Sequence, residues 1–146
     1  MSENTKQSCR VVLLAEDDLE MRLLLSLALQ KDGCSVIECK DGVDLLSRIE
    51  PLLDGKKDVE YDLVVIDIRI PRVSGMAIIE GLSGLQNRPP IVIITAFGDA
   101  EAYERASQLD VYAVLDKPFE IDDFIKVAHN AMSVPDSKKI KECNLS

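Results

Sequence analysis

The stretch DLVVIDIRIP (62–71) sets four apolar residues in a row, stops at an aspartate, and reaches a proline four residues later. Its apolar run, LVVI, is continuous rather than alternating, the pattern of a strand covered on both faces. A buried strand that ends on a charge leaves two readings of Asp67. Either it is a turn residue, or it is a carboxylate held at a strand's end to do chemistry.

The same kind of run recurs on both sides. RVVLLAE (10–16), SVIEC (35–39), PPIVIIT (89–95) and YAVLD (112–116) read as further strands. Between them lie stretches with helical signals. LEMRLLLSLALQK (19–31) has Asp18 as a candidate N-cap and Gly33 just past its end. GVDLLSRIE (42–50) is expected to end near Pro51, SGMAIIEGL (74–82) has Ser74 as its cap, and DAEAYERASQL (99–109) and EIDDFIKVAHNAM (120–132) complete the set. The polar segment LDGKKDVEY (53–61), of mixed charge, reads as a solvated loop.

Strand and helix alternate five times with no room for hairpins, so the strands are expected to be parallel and the helices to be crossovers. The class is α/β: a five-stranded parallel sheet in the flavodoxin-like order 2-1-3-4-5, with helices on both faces. At 146 residues the chain has the size of one compact domain, placed at 9–132, with short polar tails at 1–8 and 133–146.

Bulk properties narrow the function. A net charge of −9 argues against direct contact with nucleic acid or an anionic membrane. No apolar run reaches the length of a membrane span, and the N-terminal stretch runs into acids rather than a cleavage site, so a cytoplasmic protein is expected. Cys9, Cys34, Cys39 and Cys143 form no C-x-x-C pair and read as free thiols. The single histidine, His129, reads as an ordinary helix residue, and no phosphate-cradling glycine loop is present.

In a sheet of this order, ligands bind at the carboxyl ends of strands 1 and 3, where the order reverses. Strand 1 runs into Glu16, Asp17 and Asp18, and strand 3 ends at Asp67, so Asp17, Asp18 and Asp67 are expected to converge. Carboxylates that close favour a cation, and hard oxygen ligands in a partly open site favour Mg²⁺. Strand 4 delivers the Thr95 hydroxyl to the same edge, and strand 5 the Lys117 ammonium. Acids, a metal, a lysine and a hydroxyl together describe a site for a phosphoryl group. Taken singly, each has a plainer reading: helix-capping acids, a surface lysine, a strand-end threonine.

The acidic pair Asp17–Asp18, DIRIP (67–71), TA (95–96) and KPF (117–119), at these separations over residues 9–132, resemble the response-regulator receiver domains of two-component signalling. The resemblance implies that Asp67 is the phosphorylated residue. It implies that Asp18, Asp67 and the backbone carbonyl of Arg69 ligate Mg²⁺, with Asp17 acting largely through water. It implies that Thr95 and Lys117 contact the phosphoryl oxygens and that the Lys117–Pro118 bond is cis. The phosphate donor would be a histidine kinase or a histidine phosphotransfer protein, and signalling would proceed by contact with a further protein. Phosphorylation and dephosphorylation would be self-catalysed, without the chain being an enzyme in the ordinary sense.

Three alternatives are weighed against this. A phosphohydrolase of the haloacid-dehalogenase type needs an acid two residues after its nucleophile, where this chain has Arg69. Flavin phosphate would be repelled by acids at the strand ends unless a metal intervened. The third is an N-terminal regulatory fragment of a longer DNA-binding response regulator or hybrid kinase, although the start at Met1 and the short tail favour a complete protein. One departure from the family stands out: the aromatic residue usual three positions before the lysine is Val114, with Tyr112 two residues earlier on the same strand face. On the first helix, Met21, Leu24, Leu25 and Ala28 are expected in the core, and Leu23 and Leu27 outside. Arg69 and Phe97 are expected to flank the path of an attacking water and to make the phosphorylated form long-lived.

Overall fold

The computed structural model describes residues 9–55, 60–96 and 98–133. The expected tail at 1–8, the expected tail at 133–146 apart from Ser133, the middle of the expected polar loop, Cys143 and Phe97 lie outside the described residues.

Five strands form one sheet: β1 (Arg10–Ala15), β2 (Cys34–Cys39), β3 (Leu63–Asp67), β4 (Ile91–Ala96) and β5 (Ala113–Lys117). Their order is β2-β1-β3-β4-β5, and every pairing is parallel. The crossovers are α1 (Leu19–Lys31), α2 (Gly42–Leu53), α3 (Gly75–Ser83), α4 (Ala100–Gln108) and α5 (Ile121–Ser133).

The continuous apolar runs follow from this layering. Alternate residues of a strand point to opposite faces. Leu13, Ala15, Val64, Ile66, Ile91 and Ile93 pack with Leu45, Ile49, Ile78, Ile79, Leu82 and Ala106 of α2, α3 and α4. Val12, Leu14, Leu63, Val65, Val92 and Ile94 pack on the other face with Leu25, Leu29, Phe124, Ala128 and Ala131 of α1 and α5. Both faces are covered, so neither set of strand positions is left for polar residues.

Two expectations need correction. Helix α2 does not stop at Pro51 but runs to Leu53. Proline removes one donor, yet Leu52 still packs on the core, and the Asp54 N–H donates to the Glu50 carbonyl at 2.9 Å to close the last turn. The buried face of α1 is also rotated from the expected one. Leu25, Ser26 and Leu29 are buried, Met21 and Ala28 are half-buried, and Leu24 is 49% exposed. Leucines surround this helix, so its apolar pattern points in no single direction. Ser26 is accommodated inside because its hydroxyl accepts from Gln30 Nε2 at 3.0 Å. Leu23 and Leu27 are exposed, as expected.

The loop after β3 is held from below by α2. The Gly42 N–H donates to the Pro71 carbonyl at 2.9 Å. A Cβ on Gly42 would stand 2.4 Å from the Val73 carbonyl oxygen, so only glycine fits the approach. In the same loop Arg72 adopts φ 84°, the left-handed region that favours glycine.

Candidate functional site

The parallel register brings the C-terminal ends of β1, β3, β4 and β5 to one edge. Asp67 pairs with Ile94, one residue before Thr95, and Ala96 pairs with Lys117. Chain segments distant in sequence therefore place their polar residues side by side above an apolar sheet.

Asp67 is 4% exposed, and both carboxylate oxygens are occupied. Oδ2 accepts from Lys117 Nζ at 2.7 Å, and Oδ1 accepts from the Arg69 backbone N–H at 2.9 Å. The turn after β3 thus fixes the carboxylate from one side and the end of β5 from the other. The Lys117–Pro118 peptide is cis, as the resemblance implied.

The acid that shares Lys117 with Asp67 is Glu16. Its side chain is fully buried, with Oε1 3.1 Å from Lys117 Nζ. Its Oε2 accepts from the Asp18 N–H at 3.1 Å, and its carbonyl accepts from Arg22 Nη1 at 2.9 Å. Burial pushes the Glu16 carboxyl up to about 7, and the nearby Asp67 charge adds to this, against the pull of the Asp18 N–H and Lys117. Burial pulls the Lys117 ammonium down, but its hydrogen bond to Asp67 and its ion pairing with Glu16 outweigh this and leave it raised.

Asp18 does not join the cluster, contrary to the expected convergence. It is the N-cap of α1, and its Oδ2 accepts from the Met21 N–H at 2.9 Å. The acids that gather are Glu16, Asp17 and Asp67, whose carboxylate oxygens lie within 4.8 Å of one another. The gathered acids therefore start one residue earlier than expected: Glu16, just past β1, takes the buried place, and Asp18 starts the helix instead. Sequence reading had assigned the cap and the cluster to the same residue. The helix start at Leu19 is the signal that separates them.

This donor set suits a hard divalent cation. Three carboxylates meet one ammonium, and Glu16 Oε1 is buried without a hydrogen-bond partner, since Lys117 Nζ lies beside it outside hydrogen-bonding geometry. Oxygen-only donors with one exposed member, Asp17, match the needs of Mg²⁺, which keeps several waters.

Thr95 is fully buried and its hydroxyl donates to Asp99 Oδ2 at 3.0 Å. The Arg69 guanidinium, on a largely exposed side chain, donates to that same oxygen at 3.0 Å. Asp99 was missed in the sequence, where it read only as the start of a helix. The Arg69 hydrogen bond, with those from the Ala102 N–H and Thr95, holds its carboxyl below the ordinary value. Val114 is half-buried in the packing beneath α4, and Tyr112 is 41% exposed.

Residues 12–129 match the family model described as the response regulator receiver domain. The chain is 34% identical over 130 residues to the transcriptional regulatory protein PdtaR of Mycobacterium tuberculosis, covering 85% of this chain and 57% of that protein. It is 24% identical over 115 residues to sporulation initiation phosphotransferase F of Bacillus subtilis, covering 77% of this chain and 85% of that one. A response regulator receiver domain protein from Clostridium thermocellum superposes with a TM-score of 0.73 at 21% identity, covering 84% of this chain and 94% of that one, a likeness of fold. The chain thus spans little more than half the length of PdtaR. With the family model matching most of its length and the sheet order that of the fold, the chain belongs to the response regulator receiver domains, signalling modules of two-component systems.

Proposed function

We propose that this receiver domain is a Mg²⁺-dependent phosphoacceptor whose acceptor is Asp67. The observation that carries this reading is the bond of Lys117 Nζ to Asp67 Oδ2 at 2.7 Å inside a cluster of three carboxylates. A carboxylate is a weak nucleophile, but in-line attack on phosphorus depends mainly on positioning and charge neutralisation. An Asp67 oxygen forms the new O–P bond as the bond from phosphorus to the donor's leaving atom breaks, and the leaving group keeps that electron pair. Lys117 stays protonated and moves from the carboxylate to the incoming phosphoryl oxygens. Thr95 supplies a second donor from the end of β4. Asp17 and Asp67, with Glu16 and the Arg69 carbonyl, would hold a Mg²⁺ ion, which would supply charge neutralisation for the phosphoryl oxygens.

The donor would be a histidine kinase or histidine phosphotransfer protein, and the output a contact with another protein in the cytoplasm. Among the described residues no helix is long and apolar enough to cross a membrane. A second reading, the regulatory part of a longer DNA-binding regulator or hybrid kinase, is favoured by the 57% coverage of PdtaR. Intact-mass measurement after incubation with acetyl phosphate and Mg²⁺ tests the core claim. One phosphoryl group should be added to the wild type and none to Asp67→Asn. Equal labelling of both would refute it.

A further inference from the structure

One oxygen of Asp99 holds two donors that the phosphoryl chemistry has use for. Its Oδ2 accepts from Thr95 Oγ1 and from Arg69 Nη2, each at 3.0 Å. Its Oδ1 is committed elsewhere, capping α4 through the Ala102 N–H at 3.1 Å. Thr95 follows the strand partner of Asp67, and Arg69 lies two residues beyond Asp67 and binds it through its own N–H. Both donors thus belong to residues whose backbones adjoin the acceptor aspartate, and both are bonded to a different carboxylate.

A hydroxyl has a single proton to donate. While Thr95 gives it to Asp99, it has none for an oxygen on Asp67. Thr95 is fully buried at the end of β4, so a change of partner is a rotation about its Cα–Cβ bond rather than a movement of the strand. A phosphoryl group on Asp67 brings up to two negative charges and three acceptor oxygens, and so competes with Asp99 for both donors. The Asp99 side chain is 12% exposed, so water replaces the donors when they leave.

We propose that Asp99 is a positioning residue that holds Thr95 and Arg69 away from Asp67 and sets the cost of recruiting them to the phosphoryl group. This rests on the reading of Asp67 as the phosphoacceptor.

Asp99→Asn isolates the effect. The amide oxygen keeps the α4 cap, because Asn caps as well as Asp, while the amide nitrogen replaces Oδ2 and is a donor that cannot accept from Thr95 or Arg69. Two measurements decide. In the metal-free protein, three-bond couplings to the Thr95 methyl should report one rotamer in the wild type and averaged rotamers in Asp99→Asn; an unchanged single rotamer overturns the proposal. With Mg²⁺ present, titration calorimetry should find beryllofluoride, a mimic of the phosphoryl group, bound about fivefold more tightly by Asp99→Asn than by wild type. In a Thr95→Val background the same substitution should gain less. Equal or weaker binding by Asp99→Asn overturns the proposal while leaving the acceptor intact. Binding that is absent from wild type and from Asp99→Asn, or unaffected by Asp67→Asn, overturns the phosphoacceptor reading and the proposal with it.

Discussion

Lys117 Nζ stands 2.7 Å from Asp67 Oδ2, joining the last strand of the sheet to the central one through a single ammonium. That ammonium also lies 3.1 Å from Glu16 and is the counter-charge for two buried carboxylates. Lys117→Met should leave both acids unpaired and lower the unfolding free energy at pH 7.5 by about 3 kcal/mol. Much of the loss should return at pH 5, where Glu16 takes up a proton. Urea unfolding at the two pH values checks this, and labelling by acetyl phosphate should fall in parallel.

Glu16 gives the metal-free wild type its own pH dependence. Its carboxyl is raised from 4.5 to about 7, so the folded state holds a proton that the unfolded chain has released in that interval. Stability from this group is fully present below pH 4.5 and is lost as pH rises to about 7, a fall on the order of 3 kcal/mol. In Glu16→Gln that slope should disappear. Chemical denaturation in chelator at pH 5 and pH 7.5 makes the comparison; an unchanged slope would assign it to another group.

Gly42→Ala should destabilise the fold by about 2 kcal/mol. The added Cβ would meet the Val73 carbonyl oxygen at 2.4 Å, and a backbone atom cannot rotate aside. Thermal unfolding measures the loss. Because Gly42 also donates to Pro71, crosspeaks from 70–74 should shift more than those of α5 in an amide spectrum.

Arg72→Gly should act in the opposite sense. Arg72 sits at φ 84°, where glycine has no Cβ penalty, and a gain of about 1 kcal/mol is expected. Its pairing with Asp41 at 3.8 Å is made by a side chain that is 64% exposed, so little is forfeited. A lower denaturation midpoint in the variant would show that the ion pair outweighs the backbone.

Leu23 and Leu27 are 45% and 58% exposed on α1, away from the core. Leu23→Ser with Leu27→Ser should slow phosphoryl transfer from a histidine phosphotransfer donor several-fold and leave acetyl-phosphate labelling unchanged. Loss of both reactions together would indicate damage to the fold rather than to a docking face.

The sheet was legible because strands covered on both faces carry continuous apolar runs, and β3 with all five residues buried is the plainest case. Asp67, Thr95 and Lys117 were legible because strand ends share one edge once the order is known. The acidic pair was not. Three consecutive acids allow more than one register, and the structure decides between them by gathering Glu16 and Asp17 with Asp67 while Asp18 caps α1. The phase of α1 was illegible because its leucines lie on all sides. Asp99 stayed hidden because its partners, Thr95 and Arg69, come from two different strand ends, and a carboxylate at a helix start already has an ordinary explanation.

Strand β5 lies at the edge of the sheet, its five residues all half-buried, and carries Lys117 at its end. Asp67 and Lys117 are fifty positions apart, so the site does not exist in any partial structure that lacks the last strand. A chain cut before Ala113 would keep its acceptor aspartate, its acids and its threonine, yet those acids would face one another without the ammonium. Their repulsion would oppose collapse of the remaining four strands and diminish as β5 docks. Arrival of the final strand therefore both completes the sheet and switches on competence for chemistry, and during synthesis the domain remains inert until its C-terminal segment is available.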